Sequence, residues 1–147
     1  MVLYGLLWLI LLACLLEAAF HDLRTETIPW WLTICGSVVG VLLHALFQGV
    51  MGGLNSLIAC AIWWVLAELL WRVAPIGGGD LNLLAMSAAY TGLVGPVLIY
   101  FLAGIVQIGV YVVAFARGDM RLERPFAPAL LGGALLMLLW QLTVIVK

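Results

Sequence analysis

The sequence is poor in charge. Six Lys or Arg and seven Asp or Glu are spread over 147 residues, with two His besides. A net charge of −1 gives no electrostatic reason to expect a nucleic-acid partner. Zinc, nucleotide and nucleic-acid motifs are absent, so neither metal nor cofactor is expected. The three cysteines, Cys14, Cys35 and Cys60, form no CxxC pair and all fall in apolar stretches, where cysteine packs as a small hydrophobe. No polar segment is long enough to form a soluble domain.

Apolar length is what the chain has. Hydrophobic residues make up 67% of it and the mean hydropathy is +1.26, which excludes an ordinary soluble globule. A membrane-crossing helix needs roughly 20 apolar residues, and the sequence divides into such runs. They are Val2–Phe20, Trp30–Gln48, Leu54–Trp71, a shorter Leu81–Gly95, Pro96–Phe115 and Phe126–Val146. The first lacks a basic start and leads into Asp22 rather than a small-residue cleavage site, so it is not expected to be a removable signal. The expectation is all-α: one polytopic membrane domain over residues 1–147 with about six transmembrane helices, its main contact being the lipid bilayer.

Orientation follows from the basic residues. Arg24, Arg72, Arg117, Arg121 and Arg124 follow the first, third and fifth runs, and Lys147 alone lies on the opposite side. Short loops rich in Lys and Arg stay cytoplasmic. Odd-numbered connections are therefore expected inside and both termini outside. Trp30, Trp31 and Trp71 fall at the expected cytoplasmic ends, where indoles favour the interface.

With so few charges, a carboxylate near bilayer depth needs a reason. Asp22 lies in HDLRTETIPWW and Asp80 in PIGGGDLNLL. Two runs separate them, and an even number of crossings returns the chain to the same face. The fourth run is only 15 residues, roughly 22 Å of helix against a hydrocarbon core of about 30 Å. Either Asp80 sits below the surface in a wet cavity or the bilayer thins locally; the neighbouring glycines fit the first, with Asp80 at the N-cap or first turn of that helix. Gly77, Gly78 and Gly79 offer backbone without side chains, against which another peptide could lie.

Two carboxylates sharing one proton can hydrolyse a peptide: the ionised one takes a proton from water, and the protonated one donates to the scissile carbonyl. Such a pair titrates as a unit, and the sequence does not say which member holds the proton.

These residues resemble the type IV prepilin peptidases, membrane aspartic proteases with a GxGD motif. Asp22, Arg24, Ile28 and Pro29 are similar to the family's first motif, Gly77-Gly78-Gly79-Asp80 to its GxGD, and Pro125-Phe126-Ala127-Pro128 to its C-terminal Pro-Phe-x-Pro. The resemblance runs from about Glu17 to Gly133. It implies that Asp22 and Asp80 are catalytic, with Gly77, Gly78, Gly79, Arg24, Glu26 and Pro29 shaping the site or meeting substrate. It implies a prepilin or pseudopilin substrate whose short basic leader is cut on the cytoplasmic side, typically after a glycine. It also implies the bacterial inner membrane and pilus or secretion assembly machinery as partners. Asn82 departs from the lysine often found there. The cysteine-bearing segment of the bifunctional members has no counterpart, so the short, peptidase-only form of tight-adherence pilus systems is expected.

The remaining polar residues have structural readings. Glu17 with His21 and Glu68 with Arg72 are i,i+4 pairs. Asp119 and Glu123 are expected to pair with nearby arginines. His44 and Gln48 lie toward the outer side. Gly36-xxx-Gly40, and Gly104 with it, are expected at close helix contacts. Two other functions compete: a small transporter or ion-translocating subunit, and a non-catalytic pilus assembly protein. No clear internal repeat is found and the acidic residues gather on the cytoplasmic side, which disfavours the transporter.

Overall fold

A computed structural model describes residues 2–73, 77–119 and 124–145. Arg121, Glu123 and Lys147 lie outside the described residues. The apolar runs form helices: α1 Val2–Thr25, α2 Trp30–Val73, α3 Gly78–Thr91, α4 Gly95–Ala116 and α5 Ala127–Ile145. Proline marks the starts. Pro29 immediately precedes α2, Pro96 occupies the first turn of α4 and Pro128 is the second residue of α5; proline's missing N–H is harmless there.

A straight 44-residue α2 would be about 66 Å long, twice the thickness of a bilayer core. It instead folds back at Gly49, whose φ of 75° is a conformation that glycine adopts without penalty. Ile34, Ser37 and Val41 share a groove with Leu57, Cys60 and Trp64. These pairings are symmetric about Gly49, so residues 30–48 and 50–73 are the two limbs of an antiparallel hairpin. They correspond to the second and third apolar runs.

Four helices among the described residues, α2 included, are long and apolar enough to cross a membrane. The protein is thus a polytopic all-α membrane protein. The count of six spans holds if α2 is taken as two and the 14-residue α3 as one. Large apolar side chains such as Leu9, Leu46, Val50, Phe101 and Phe115 stand on the outside, as a lipid-facing surface requires.

α3 is the core. From Leu81 to Tyr90 every residue except Asn82 is buried. It packs chiefly on the α2 hairpin, while α5 joins α4 to α1. Small residues let α3 sit close. A Cβ on Gly36 would strike the Met86 sulfur, and one on Gly40 would lie 3.0 Å from Ala89 Cβ. Two bonds lock the contact: Tyr90 Oη donates to the Gly36 carbonyl (2.6 Å) and Ser56 Oγ to the Ala89 carbonyl (2.6 Å). Two expectations fail here. Gly104 borders open space, and the close contact between α4 and α5 is made by Gly133, against the Ile99 carbonyl and Ala103. Cys35 is exposed on the helix surface rather than packed.

Because the hairpin returns the chain, α3 begins at the end of the bundle where α1 finishes. Trp30, Trp31 and Trp71 are exposed at that end.

Candidate active site

Asp22 lies in the last turns of α1, since that helix runs to Thr25 rather than stopping near Phe20. Its side chain faces inward and is only 8% exposed. Its Oδ2 accepts a hydrogen bond from the Ala127 N–H at 3.0 Å, across 105 residues of sequence. Asp80 lies in the first turn of α3. It makes no side-chain cap, contrary to the N-cap alternative, and its Oδ1 is buried without a hydrogen-bond partner among the described residues.

The two carboxylates line one cavity of about 190 Å³, completed by Glu26, Arg124, Pro125 and Phe126. That space is large enough for several waters, which polar walls can bind. Asp80 stands just ahead of the fourth apolar run. Burial, and then the negative charge of Asp22, push its carboxyl up to about 7. Four other cavities are larger, and none has two carboxylates in its lining. One of about 450 Å³, with His44, Gln48 and Asn55 among its walls, contains no Asp, Glu, Lys or Arg; one of about 550 Å³ is the apolar groove of the α2 hairpin.

The first motif reaches the second through packing. A Cβ on Gly79 would sit 3.1 Å from Ile28 Cβ and 3.2 Å from its Cδ1. Ile28 therefore seats the chain segment that carries Asp80, and the backbone carbonyl of Pro29 accepts from the Leu32 N–H at 3.1 Å to start α2. This revises the role expected of the glycines. Gly78 and Gly79 are not an open loop but the first turn of α3, and only Gly77 stands outside the helix. A Cβ on Gly77 would approach Asp80 Oδ2 at 3.1 Å; one on Gly78 would meet Trp71 at an ordinary 3.6 Å.

Other expected site residues divide. Glu26 is at the cavity, held by a left-handed turn with φ of 53°. Arg24 is not; its guanidinium lies 3.9 Å above the Phe20 ring, on the exposed side of α1. Pro29 does not line the cavity and acts through its place in the chain. Asn82 borders a separate recess with Ala67, Glu68, Trp71 and Gly78. Asp119 pairs with Arg124 at 2.8 Å, Glu68 with Arg72 at 2.8 Å and Glu17 with His21 at 3.4 Å. Sequence reasoning missed Arg124 as a cavity residue and the Ala127 N–H as a donor. Arg124 registered only as a topological charge, and a backbone donor has no sequence signal beyond the prolines around it.

Comparison with known proteins supplies a family. Residues 9–113 match the type IV leader peptidase family, a span that holds Asp22, Ile28 and Asp80. Two proteins of Burkholderia pseudomallei, from strains 1026b and K96243, are each 33% identical to the chain over 134 residues. Both are named prepilin leader peptidase/N-methyltransferase. The alignments cover 84% of this chain but 42% of each relative, so the chain spans about two fifths of their length. No solved structure matches. Most of the chain lies within the family match, and the two motifs it contains are the ones that meet at the cavity: the protein belongs to the type IV leader peptidase family.

Proposed function

We propose that the protein is a prepilin leader peptidase, an intramembrane aspartic endopeptidase whose dyad is Asp22 and Asp80. The observation that carries this is the convergence of two carboxylates, a buried one from α1 and a half-buried one from α3, on one small cavity at one end of the bundle. Like charges in such a space do not both ionise readily, so the pair retains a proton near neutral pH. That is the state in which one carboxylate activates water and the other donates to the peptide. Neither step needs a metal or cofactor.

The distribution of arginine favours this end of the bundle as the cytoplasmic one, with both termini outside and the inner membrane as location. Residues 1–147 then act as one peptidase domain. The substrate is a prepilin or pseudopilin: a basic leader meets Glu26 and the dyad, and the following apolar helix stays in the bilayer. Pilus or secretion machinery is the natural recipient of the product. Gly77, Gly78 and Gly79 shape the site by letting α3 start close against Ile28.

The test is co-expression with a candidate prepilin. A size shift of the pilin, absent without the chain, is expected. An unprocessed pilin across several candidates, with the chain inserted, would return the protein to the non-catalytic assembly reading.

A further inference from the structure

We propose that the start of α5 decides which member of the pair is ionised: the Ala127 N–H holds Asp22 as the carboxylate that activates water and leaves Asp80 as the acid. This rests on the peptidase reading above. The Pro125-Phe126-Ala127-Pro128 segment gains a physical purpose from it. Pro125 and Pro128 have no N–H to give. The Ala129 and Leu130 N–H groups both bond the Phe126 carbonyl, at 2.9 and 3.1 Å. The Ala127 N–H remains, and it points at Asp22 Oδ2 from 3.0 Å. Hydrogen bonds to an ionised acceptor are roughly twice as strong as neutral ones; the positive end of the α5 dipole offsets the negative end of α1, in whose last turns Asp22 stands, so the N–H decides.

Asp80 stands in the first turn of α3, whose dipole also favours a carboxylate, but it differs from Asp22 in lacking a donor. Its Oδ1 is buried without a donor among the described residues, and it caps nothing. Ionising it would leave a buried carboxylate oxygen charged with no protein donor among the described residues, which is costly. The other groups facing the pair do not reverse this. Glu26 adds negative charge to the same cavity. Arg124, from the segment before α5, favours one net negative charge there and is shared with Asp119. Tyr100 of α4, its ring 5.3 Å from that of Phe126, lies within electrostatic reach of Asp80. His21, next to Asp22 on α1, is engaged by Glu17.

The proton count closes on this assignment. Asp22 takes a proton from water as the water oxygen bonds to the scissile carbon, and Asp80 gives its proton to the carbonyl oxygen. In the collapse the C–N bond breaks. The leaving nitrogen takes the proton from Asp22, and Asp80 recovers one from a diol hydroxyl. One water is consumed and the pair is restored.

Two measurements test the assignment. The first replaces Ala127 by lactic acid, which exchanges the amide for an ester and keeps the side chain. The acid limb of kcat/KM against pH should move up by about one unit, as expected for losing one hydrogen bond to a charged group. An unmoved acid limb in a variant that still cleaves would overturn the proposal. Ala127→Pro serves as the second route to the same deletion. The other measurement is the infrared band of protonated carboxyl groups in the resting protein at pH 6, which needs no activity. The band should persist in Asp22→Asn and be lost in Asp80→Asn; the reverse pattern would overturn the proposal. A wild-type chain that cleaves no prepilin would sink the peptidase reading alone, since the infrared result still reports where the proton sits.

Discussion

Replacing Gly79 by valine tests how the two motifs are held together. A Cβ at this position would lie 3.1, 3.2 and 3.4 Å from Ile28 Cβ, Cδ1 and Cγ1. Alanine is already tight, and valine adds two methyl groups in the same direction. Overpacking of this kind typically costs about 1–3 kcal/mol. Relief by moving the first turn of α3 away from Ile28 carries Asp80 with it, and a shift of about 1 Å in a reacting group can cost roughly 100-fold in rate. Gly78→Ala is the control. Its Cβ would meet Trp71 at 3.6 Å, and removing a helical glycine stabilises by about 0.5–1 kcal/mol. The assay is thermal unfolding in detergent alongside the initial rate of prepilin cleavage. Gly79→Val should lose both, Gly78→Ala neither, and Ile28→Ala combined with Gly79→Val should recover part of the loss, with a coupling of about 0.5–3 kcal/mol. Strictly additive effects of Ile28→Ala and Gly79→Val would refute the packing argument. A stable Gly79→Val that has lost all cleavage would restore a substrate-facing role for this glycine.

Further outcomes follow from the same structure. Asp80 must be protonated to donate, and its carboxyl loses its proton as pH rises through about 7; cleavage should therefore decline above that pH, as a rate profile on a purified prepilin would show. Gly133→Ala should lower the melting temperature because its methyl would strike the Ile99 carbonyl, whereas Gly104→Ala, facing open space, should not. Asp119→Asn should keep cleavage within a few-fold of wild type, since Asp119 pairs with Arg124 and does not line the cavity. A cysteine placed at Thr25 should label only from the cytoplasmic side, and a reporter fused after the last residue should read as periplasmic.

Much of the fold was legible because a bilayer leaves few alternatives: each apolar run had to become a helix, and the parity of crossings put Asp22 and Asp80 at one end. What sequence could not show was contact between distant segments. Gly104 reads like any small residue at a helix interface, yet Gly133 makes the contact between α4 and α5. Arg24 was expected to shape the site with Asp22, but two residues along a helix is a rotation of about 200°, and it stacks on Phe20 instead. The triple glycine read as a loop because glycine is a weak helix former; tight packing against Ile28 overrode that preference.

The central claim is that Asp22 and Asp80 act as one unit on a prepilin. Its most direct test is the cleavage rate of a purified prepilin by wild type, Asp22→Asn, Asp80→Asn and the double variant, all confirmed as folded and inserted. Residues that act together are strongly non-additive, so each single variant should be as inactive as the double. A single variant that cleaves at near the wild-type rate would contradict the account.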